Sequence, residues 1–315
     1  MGKWMLGLGR VFLIAVAVLL ALVLLAWGSG NLIKYVLYQD YYGGKTNICT
    51  NPALSEGFVC QGITASDEDG KIFVSGYMTS KAPSRIYVTD ESDNLHYVTL
   101  MKNGEAFTGH AGGLAYLKGK LYIANGKRVY TVEASAVLEA ENGSAVEIGE
   151  GVPVNNNASF AYSDGSYLYV GEFHDGGKYV TKHPYSTPDG DYCAIVCRYS
   201  PEDLTKPEKV YSIRDRVQGI CFTPDGRVIL STSYGITSSV FYVYNDADAI
   251  DSGEMLDGAP VYYLNGCVKE IKGPAMAEGL GYYKGQVITL FESACNKYIF
   301  GKFFFANKIV SVDFS

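Results

Sequence analysis

An internal repeat, found five times after residue 60, constrains the fold of this chain more than any other feature. Each copy begins with a small residue and a short apolar run, passes through a turn that contains glycine, and ends in a second, alternating run. The copies are QGITASDEDGKIFVSGY from Gln61, GGLAYLKGKLYIANG from Gly112, SFAYSDGSYLYVGEF from Ser159, QGICFTPDGRVILSTSY from Gln218 and EGLGYYKGQVITLFES from Glu278. Units of this kind bury a core only by stacking against their neighbours.

Each copy predicts a β-hairpin followed by further strands. The turns carry DG or KG dipeptides, which suit tight hairpins that need positive φ. Further alternating runs follow at residues 85–90, 96–100, 128–133, 194–200, 209–213, 240–246, 297–303 and 309–314. Because four strands per repeat are typical of a propeller blade, we predict an all-β β-propeller of about five four-stranded blades. A sixth blade, hidden in residues 177–215 or completed by residues 45–60, stays open.

Composition supports the all-β prediction. The chain has 26 tyrosines and 36 glycines in 315 residues, which favours many short strands joined by tight turns. A sandwich or a jelly roll also has short strands, but neither predicts five copies of one hairpin-first unit. The only helical turn expected after residue 45 lies near residues 134–141.

An uninterrupted apolar stretch, VFLIAVAVLLALVLLAW, covers residues 11–27. As a helix it would span about 25 Å, nearly the hydrocarbon core of a bilayer. It exceeds the usual length of a signal-peptide core, so we favour a signal anchor over a signal peptide cleaved near Ala26 and Gly28. The predicted divisions are a cytoplasmic basic flank (1–10), a transmembrane or signal-anchor segment (11–27), a linker with a possible closing strand (28–56) and the propeller (57–315).

The charge distribution predicts a location and excludes one class of partner. Lys3 and Arg10 precede the apolar segment, so the globular part is expected outside the cytoplasm, anchored by a single pass or secreted after cleavage. Residues 1–40 contain three of the 26 basic and one of the 33 acidic residues, so the remainder has a net charge of −9. This balance excludes a nucleic-acid-binding surface.

All seven cysteines follow the apolar segment, where disulfides can persist. Cys49 and Cys60 flank a short loop and are the pair that we expect to be bridged. Cys193 and Cys197 have a CxxxC spacing that matches neither a zinc knuckle nor a redox CxxC motif. The odd number leaves at least one thiol free.

Two of the repeats resemble a known group of propellers. GGLAYLKGKLYIAN and QGICFTPDGRVILSTS resemble the blade consensus of the regucalcin/gluconolactonase-like group, as a repeating style over residues 61–300. GHAGGLAY, VQGICF and FESACNKYIFGK are similar to strings of exported propeller proteins of anaerobic Gram-positive bacteria, which implies location and fold but no activity. Hydrolytic members of the first group hold a divalent cation through a Glu, Asn and Asp set, and no residue-by-residue match to that set exists here.

Polar residues of the repeats give the candidate site. Innermost strands line the central channel of a propeller, so polar residues where they start, and where the second strands end, should converge on one opening. The ligand-pocket candidates are Gln61, His110, Asn125, Glu172, His174, Gln218, Glu278 and Glu292. The alternative is a structural role. Gln61, Gln218 and Glu278 would then satisfy backbone groups at blade junctions, and Glu172 and Glu292 would pair with a nearby lysine or arginine. His110 would be a core histidine with satisfied hydrogen bonds, and His174 would lie in a solvated loop.

The residues leave two functions open. The chain has no GxSxG, HExxH or GxGxxG motif, and its many aromatic residues favour a propeller that binds a carbohydrate or a peptide at the cell envelope. The alternative is a metal-assisted hydrolase or lactonase acting in the channel. In that case Glu172, Glu278 and Glu292 would hold a divalent cation such as calcium or manganese.

Overall fold

The fold is a five-bladed β-propeller that follows one long N-terminal helix. A computed structural model describes residues 2–315, without the side chains of residues 2–8 and Asn31. Most of the predicted basic flank, residues 1–10, therefore lies outside the described side chains. The prediction of an all-β propeller is confirmed, with five blades.

Each blade is an antiparallel sheet of four strands, which are named from the channel outward. Blade 1 contains Phe58–Ser66, Lys71–Met78, Arg85–Thr89 and His96–Lys102. Blade 2 contains Gly113–Leu117, both halves of Lys120–Glu133, and Val152–Ala158. Lys120–Glu133 folds back on itself at Gly126, where φ is +66°. The two halves pair as a hairpin, and beyond its ends Ala134 N donates to Gly119 O at 2.8 Å.

The remaining blades have the same order. Blade 3 contains Phe160–Ser163, Leu168–Gly171, Ala194–Ser200 and Asp203–Ile213. Blade 4 contains Val217–Phe222, Arg227–Thr232, Ser239–Asn245 and Lys269–Gly273. Blade 5 contains Ala277–Tyr283, Gln286–Phe291, Lys308–Val312 and, from the other end of the chain, Lys45–Thr50.

Short elements decorate the blades. Glu105–Ala106 and Ala145–Glu147 pair with the outer strand of blade 1, and the hairpin Ile250–Leu256 with Ala259–Tyr263 extends the outer edge of blade 3. Tyr185–Thr187 and Gly190–Tyr192 form a separate hairpin in blade 3. The helices are Gly2–Leu37, Gln39–Gly44 and Ala134–Leu138, and the 3₁₀ turns are Asp246–Asp248 and Phe300–Phe304.

Glycines of the repeats let neighbouring inner strands touch through their backbones. A Cβ atom at Gly62 would lie 2.6 Å from Leu114 N, and one at Gly113 would lie 2.1 Å from Ala161 N. At Gly219 the corresponding distance, to Leu280 N, is 2.6 Å. No side chain fits such gaps. The glycine near the start of each of these repeats is therefore a requirement of blade-to-blade packing.

The N-terminal strand completes the last blade. Lys45–Thr50 pairs antiparallel with Lys308–Val312 and supplies the fourth strand of blade 5. The helical turn predicted near residues 134–141 is present as Ala134–Leu138. Residues 45–50 belong to blade 5, residues 58–60 begin the inner strand of blade 1, and residues 177–215 lie within blade 3, so the alternative of a sixth blade is not realised.

Two local predictions are wrong. Residues 297–303, predicted as a strand, contain part of the 3₁₀ turn Phe300–Phe304, and the third strand of blade 5 is Lys308–Val312 instead. The expected Cys49–Cys60 disulfide is absent, and all seven cysteines are free thiols. Cys49 lies on the outermost strand of blade 5 and Cys60 on the innermost strand of blade 1, so they occupy different radii of the ring.

The predicted apolar segment, residues 11–27, lies in the long N-terminal helix. By length and composition Gly9–Leu37 is sufficient to cross a membrane, and an N-terminal signal sequence meets the same criteria. The large apolar side chains from Val11 to Leu25 are exposed, so this part of the helix does not pack on the propeller. Tyr38 and Tyr41, by contrast, are buried in the core between blades 4 and 5.

Tyr41 should anchor the segment that joins the helix to the propeller. Its ring stacks on Phe241 and meets Phe291 edge-on, with centroids 6.4 and 5.7 Å away. We expect Tyr41→Ala to lower the free energy of unfolding by about 3–5 kcal/mol, as for other buried aromatic residues. Tyr35→Ala is the matched control, because the Tyr35 side chain is 54% exposed. Denaturant unfolding of the two variants is the measurement, and equal losses would contradict the packing described.

Candidate functional site

A cavity of about 640 Å³ opens at one end of the central channel. The starts of inner strands and the ends of second strands form it, as the repeat predicts. Six of the predicted residues line it, namely Gln61, His110, Asn125, Gln218, Glu278 and Glu292. Its other lining residues include Tyr77, Asn157, Ser159, Phe173, Lys178, Tyr179, Val180, Ser233, Tyr234, Lys297 and Tyr298.

Glu278 is buried on the inner strand of blade 5, with 3% of its surface exposed. Gln218 of blade 4 donates from Nε2 to Glu278 Oε1 at 3.3 Å. Burial, followed by the charge of Glu292, raises the pKa of Glu278 well above its usual range, and Lys297 opposes this shift only in part. Since burial disfavours the charged form, Glu278 holds its proton at neutral pH when Glu292 is ionised.

Glu292 lies at the end of the second strand of the same blade. Its Oε2 accepts a hydrogen bond from Gln61 Nε2 of blade 1 at 3.1 Å, and Tyr298 also bonds the carboxyl group. Burial raises the pKa of Glu292 to about 7, although Tyr298, Lys297 and Gln61 each favour the charged form. This carboxyl group therefore titrates near physiological pH.

Glu278 and Glu292 interact through their charges and act as a pair. Two carboxyl groups in one buried site cannot both ionise without a large electrostatic cost, so the pair keeps at least one proton near neutral pH. Gln218 and Gln61 hold the two groups from opposite neighbouring blades. The arrangement can accept hydrogen bonds from a ligand through one group and donate a proton through the other.

Aromatic rings form the walls of the cavity. Tyr77, Tyr298, Phe173, Tyr179 and Tyr234 all line it. Phe173 stacks against Tyr234 with ring centroids 6.4 Å apart and meets Tyr179 edge-on at 5.6 Å. Such rings present flat apolar faces together with hydroxyl groups, a combination that suits a ligand with both apolar and polar surfaces.

A lysine and a histidine contact the Tyr77 wall. Lys297 Nζ lies 4.9 Å from the centroid of Tyr77 and also hydrogen-bonds the hydroxyl group of that residue. The ring of His110 meets Tyr77 edge-on at 4.7 Å. Burial against this wall and the charges of Lys297 and Lys178 lower the pKa of His110. His110 is therefore neutral at pH 7.

Asn125 lies at the edge of the cavity and has a structural bond. Its Oδ1 accepts the backbone N–H of Ala111 at 3.3 Å. Gly109 passes so close that a Cβ atom there would lie 2.6 Å from Asn125 Oδ1. Asn125 thus orders the HAGG turn that carries His110, and it lines the cavity as well.

Glu172 and His174 do not line the cavity, unlike the prediction. Glu172 N donates to Ile195 O at 2.9 Å, so this residue still belongs to the sheet of blade 3. Its side chain, 1% exposed, accepts the N–H of Asn157 at 3.0 Å and lies 2.9 Å from His183 Nδ1. His174 is buried and accepts the N–H of Thr181 through Nδ1 at 3.0 Å. Both residues order the 173–193 loop.

The three-carboxylate metal set predicted from Glu172, Glu278 and Glu292 is not assembled. Among the described residues no group of three or more His, Cys, Asp or Glu side chains has the arrangement of a metal site. The reason is the orientation of Glu172, which pairs with His183 beside the cavity. Glu278 and Glu292 remain as two carboxyl groups with amide partners.

Sequence reasoning missed several lining residues. Tyr77 occupies the end of the second strand of blade 1, the position that Asn125, Ser233 and Glu292 hold in other blades, so the repeat register contains its signal. Phe173 and Tyr234 are the last residues of their aligned repeats, each directly after the position that Glu172 and Ser233 hold, so the register marks them as well. Tyr179 lies in the 173–193 loop, beyond the aligned repeats, and no periodic signal marks it.

Comparisons with known proteins concern the fold. No family model matches the sequence, and no curated protein matches it. A putative oxidoreductase (glucose dehydrogenase) from Thermus thermophilus is similar in structure, with a TM-score of 0.46 and 12% identity over 85% of this chain and 99% of that one. The GH43_1 enzyme from Xanthomonas citri, complexed with xylose, gives a TM-score of 0.43 and 13% identity over 84% and 90%.

A third structure is similar over a part of its length. Hydrazine synthase from Kuenenia stuttgartiensis has a TM-score of 0.39 and 12% identity, and the match covers 74% of this chain. The present chain spans 55% of that protein. At these identities the likenesses describe the fold and carry no argument about activity.

The carboxyl pair predicts an unusual dependence of stability on pH. Because folding raises the pKa of Glu292 from 4.5 to about 7, its stabilising contribution is complete below pH 4.5 and is lost as the pH rises toward 7. The loss amounts to at most about 1.4 kcal/mol per pH unit. Glu292→Gln removes this group, so the Tm of the variant relative to wild type should increase between about pH 5 and pH 8.

The measurement is thermal unfolding of the variant and the wild type over that pH range. Glu68→Gln, an exposed change in a turn at the opposite end of the channel, is the control and should give a constant difference in Tm. A constant difference for Glu292→Gln as well would show that Glu292 is ionised in the folded protein at acidic pH.

Proposed function

We propose that this protein is a membrane-tethered propeller outside the cytoplasm that binds a carbohydrate in the channel cavity. The observation that carries the proposal is the buried pair Glu278 and Glu292 below walls of tyrosine and phenylalanine. Sugars combine hydroxyl groups with apolar C–H faces, so carboxyl and amide groups can bond the former while aromatic rings cover the latter.

The size and the polarity of the cavity support a small saccharide. A volume of about 640 Å³ lies within the range of small-molecule sites in proteins. Gln61 and Gln218 hold Glu292 and Glu278 in fixed positions, so binding does not require the carboxyl pair to become ordered. A peptide is the alternative ligand, and it would place amide groups where the sugar hydroxyl groups are proposed to lie.

The tether is supported by the helix Gly9–Leu37 and by Lys3 and Arg10, the basic residues that precede its apolar segment, residues 11–27. The segment of residues 11–27 is long enough for the hydrocarbon core and does not pack on the propeller. With the basic flank in the cytoplasm, the propeller lies on the outer side of the membrane. Secretion after cleavage of a signal peptide is the alternative location.

A second candidate function is hydrolysis of a glycosidic or ester bond. It is favoured by the pKa of about 7 at Glu292, which suits a general acid at neutral pH, next to a second carboxyl group. In this scheme Glu292 protonates the leaving oxygen, while water from the solvent attacks the carbon atom whose bond to that oxygen breaks. A metal-assisted mechanism would have only these two carboxyl groups as protein ligands in the cavity.

Binding can be tested by thermal unfolding of the full chain in detergent with a panel of oligosaccharides. A ligand that binds the folded state raises Tm in a saturable way. We expect Tyr234→Ala and Glu278→Gln each to weaken the binding at least tenfold, a loss of about 1.4 kcal/mol. Glu68→Gln is the control and should bind as the wild type does.

Two further arms separate the alternatives. Release of reducing sugar, or of acid from lactones and esters, that is lost in Glu292→Gln while binding persists would make the protein a hydrolase. A saturable rise in Tm with calcium or manganese, lost in Glu278→Gln, would restore the metal-assisted mechanism. If no saccharide raises Tm while peptides do, the carbohydrate proposal fails.

A further inference from the structure

The large exposed apolar residues of the propeller are concentrated around the mouth of the cavity. Outside the N-terminal helix, seven of the eleven exposed large hydrophobic residues of the described chain lie in three loops at this end of the channel. These seven residues, which we name the apolar rim, are Tyr179, Val180, Tyr234, Ile236, Ile299, Phe300 and Phe305. Ile299 and Phe300 are exposed to 76% and 65%. Patches of this kind mark interaction surfaces.

The N-terminal helix leaves the propeller at this same end. Gly30 packs so closely on the 3₁₀ turn Phe300–Phe304 that a Cβ atom there would lie 2.9 Å from Phe303 O. Lys34 Nζ donates to Phe305 O at 3.0 Å, and the hydroxyl group of Tyr38 bonds Ser238 Oγ at 3.0 Å. The contacts of the helix are therefore with the loops that carry the apolar rim.

The distance along the helix places these loops at the level of the lipid head groups. Gly30 follows Trp27, the last residue of the apolar segment, by about 4.5 Å along the helix axis, and Lys34 follows it by about 10 Å. Each head-group layer of a bilayer is about 5–8 Å thick. If residues 11–27 fill the hydrocarbon core, the turn Phe300–Phe304 lies within or directly against the head-group layer.

The end of the channel that carries the apolar rim is more basic than the opposite end, as its placement on a lipid surface requires. The rim loops carry Lys178, Lys182, Lys297 and Lys302 against Asp175, Asp189 and Asp191, and Asp189 is paired with Arg214. The remaining excess of lysine suits an anionic lipid surface. The hairpin turns at the opposite end expose five acidic and two basic side chains. These are Asp67, Glu68, Asp69, Asp164, Asp225, Lys118 and Lys284.

We infer that the apolar rim lies on the surface of the bilayer that the N-terminal helix spans, so that the cavity opens toward the lipid head groups. This inference shares the membrane tether with the proposed function and does not depend on the ligand being a carbohydrate. Its consequence for that function is that the ligand enters the cavity from the plane of the membrane.

The test uses the full chain in nanodiscs of phosphatidylcholine and phosphatidylglycerol in equal parts. A benzophenone-bearing phenylalanine analogue replaces, one at a time, Phe300, Ile236 or Leu95, and lipid adducts formed on illumination are measured by mass spectrometry. Leu95 is the matched control, because it is an apolar residue with 50% exposure in a loop at the opposite end of the propeller. The Tm of each protein reports that it is folded.

We expect adducts at Phe300 and at Ile236 to exceed those at Leu95 at least fivefold. Equal yields at the three positions would overturn the inference. Adducts at Phe300 with only background at Ile236 would also overturn it, because the membrane would then touch the turn beside the helix and leave the cavity mouth in water. Saccharide binding in detergent needs no bilayer, so a failure of the proposed function and a failure of this inference are distinguishable.

Discussion

Backbone contact between the inner strands is the constraint on which the rest of the structure depends. At Gly62, Gly113 and Gly219 the neighbouring strand approaches to a distance at which no Cβ atom fits. The five inner strands close into a narrow ring. The side chains next to these glycines therefore extend toward the ends of the channel. Gln61 and Gln218 each precede a glycine of this kind, and Glu278 precedes Gly279, where a Cβ atom would lie 3.0 Å from Gln61 O. The contacts that close the ring therefore also direct polar groups to the mouth.

Closing the ring couples the two ends of the chain to the site. Lys45–Thr50 completes the blade that carries both Glu278 and Glu292, and the buried Tyr41 packs against Phe291, the residue before Glu292. The membrane segment is thus joined to the blade of the carboxyl pair through a packed helical turn. Loss of this packing would disturb the carboxyl pair as well as the stability of blade 5.

The sequence was sufficient for features that repeat and insufficient for features that occur once. Hairpin turns and small residues at fixed positions predicted the propeller, and the repeat register predicted six of the residues that line the cavity. Glu172 has the same register as Glu292, yet its backbone remains paired with Ile195 and its side chain bonds His183. Residues 297–303 were predicted as a strand because they resemble the alternating runs that follow the other repeats. In the structure the apolar residues of the turn at 300–304 lie beside the N-terminal helix instead of in a blade. Neither outcome leaves a signal in the order of residues alone.

The acid–base chemistry of the cavity and the proposed position on the membrane support each other physically. A carboxyl group is harder to ionise where water is displaced, and burial is already the largest cause of the raised pKa values of Glu278 and Glu292. If the apolar rim rests on lipid, the mouth loses further water, which raises the cost of ionising either carboxyl group and keeps the pair protonated to higher pH. A saccharide that enters from the membrane surface would then meet a site with a proton to donate and a carboxylate to receive its hydroxyl groups, whereas the same propeller in free solution would hold that proton less firmly.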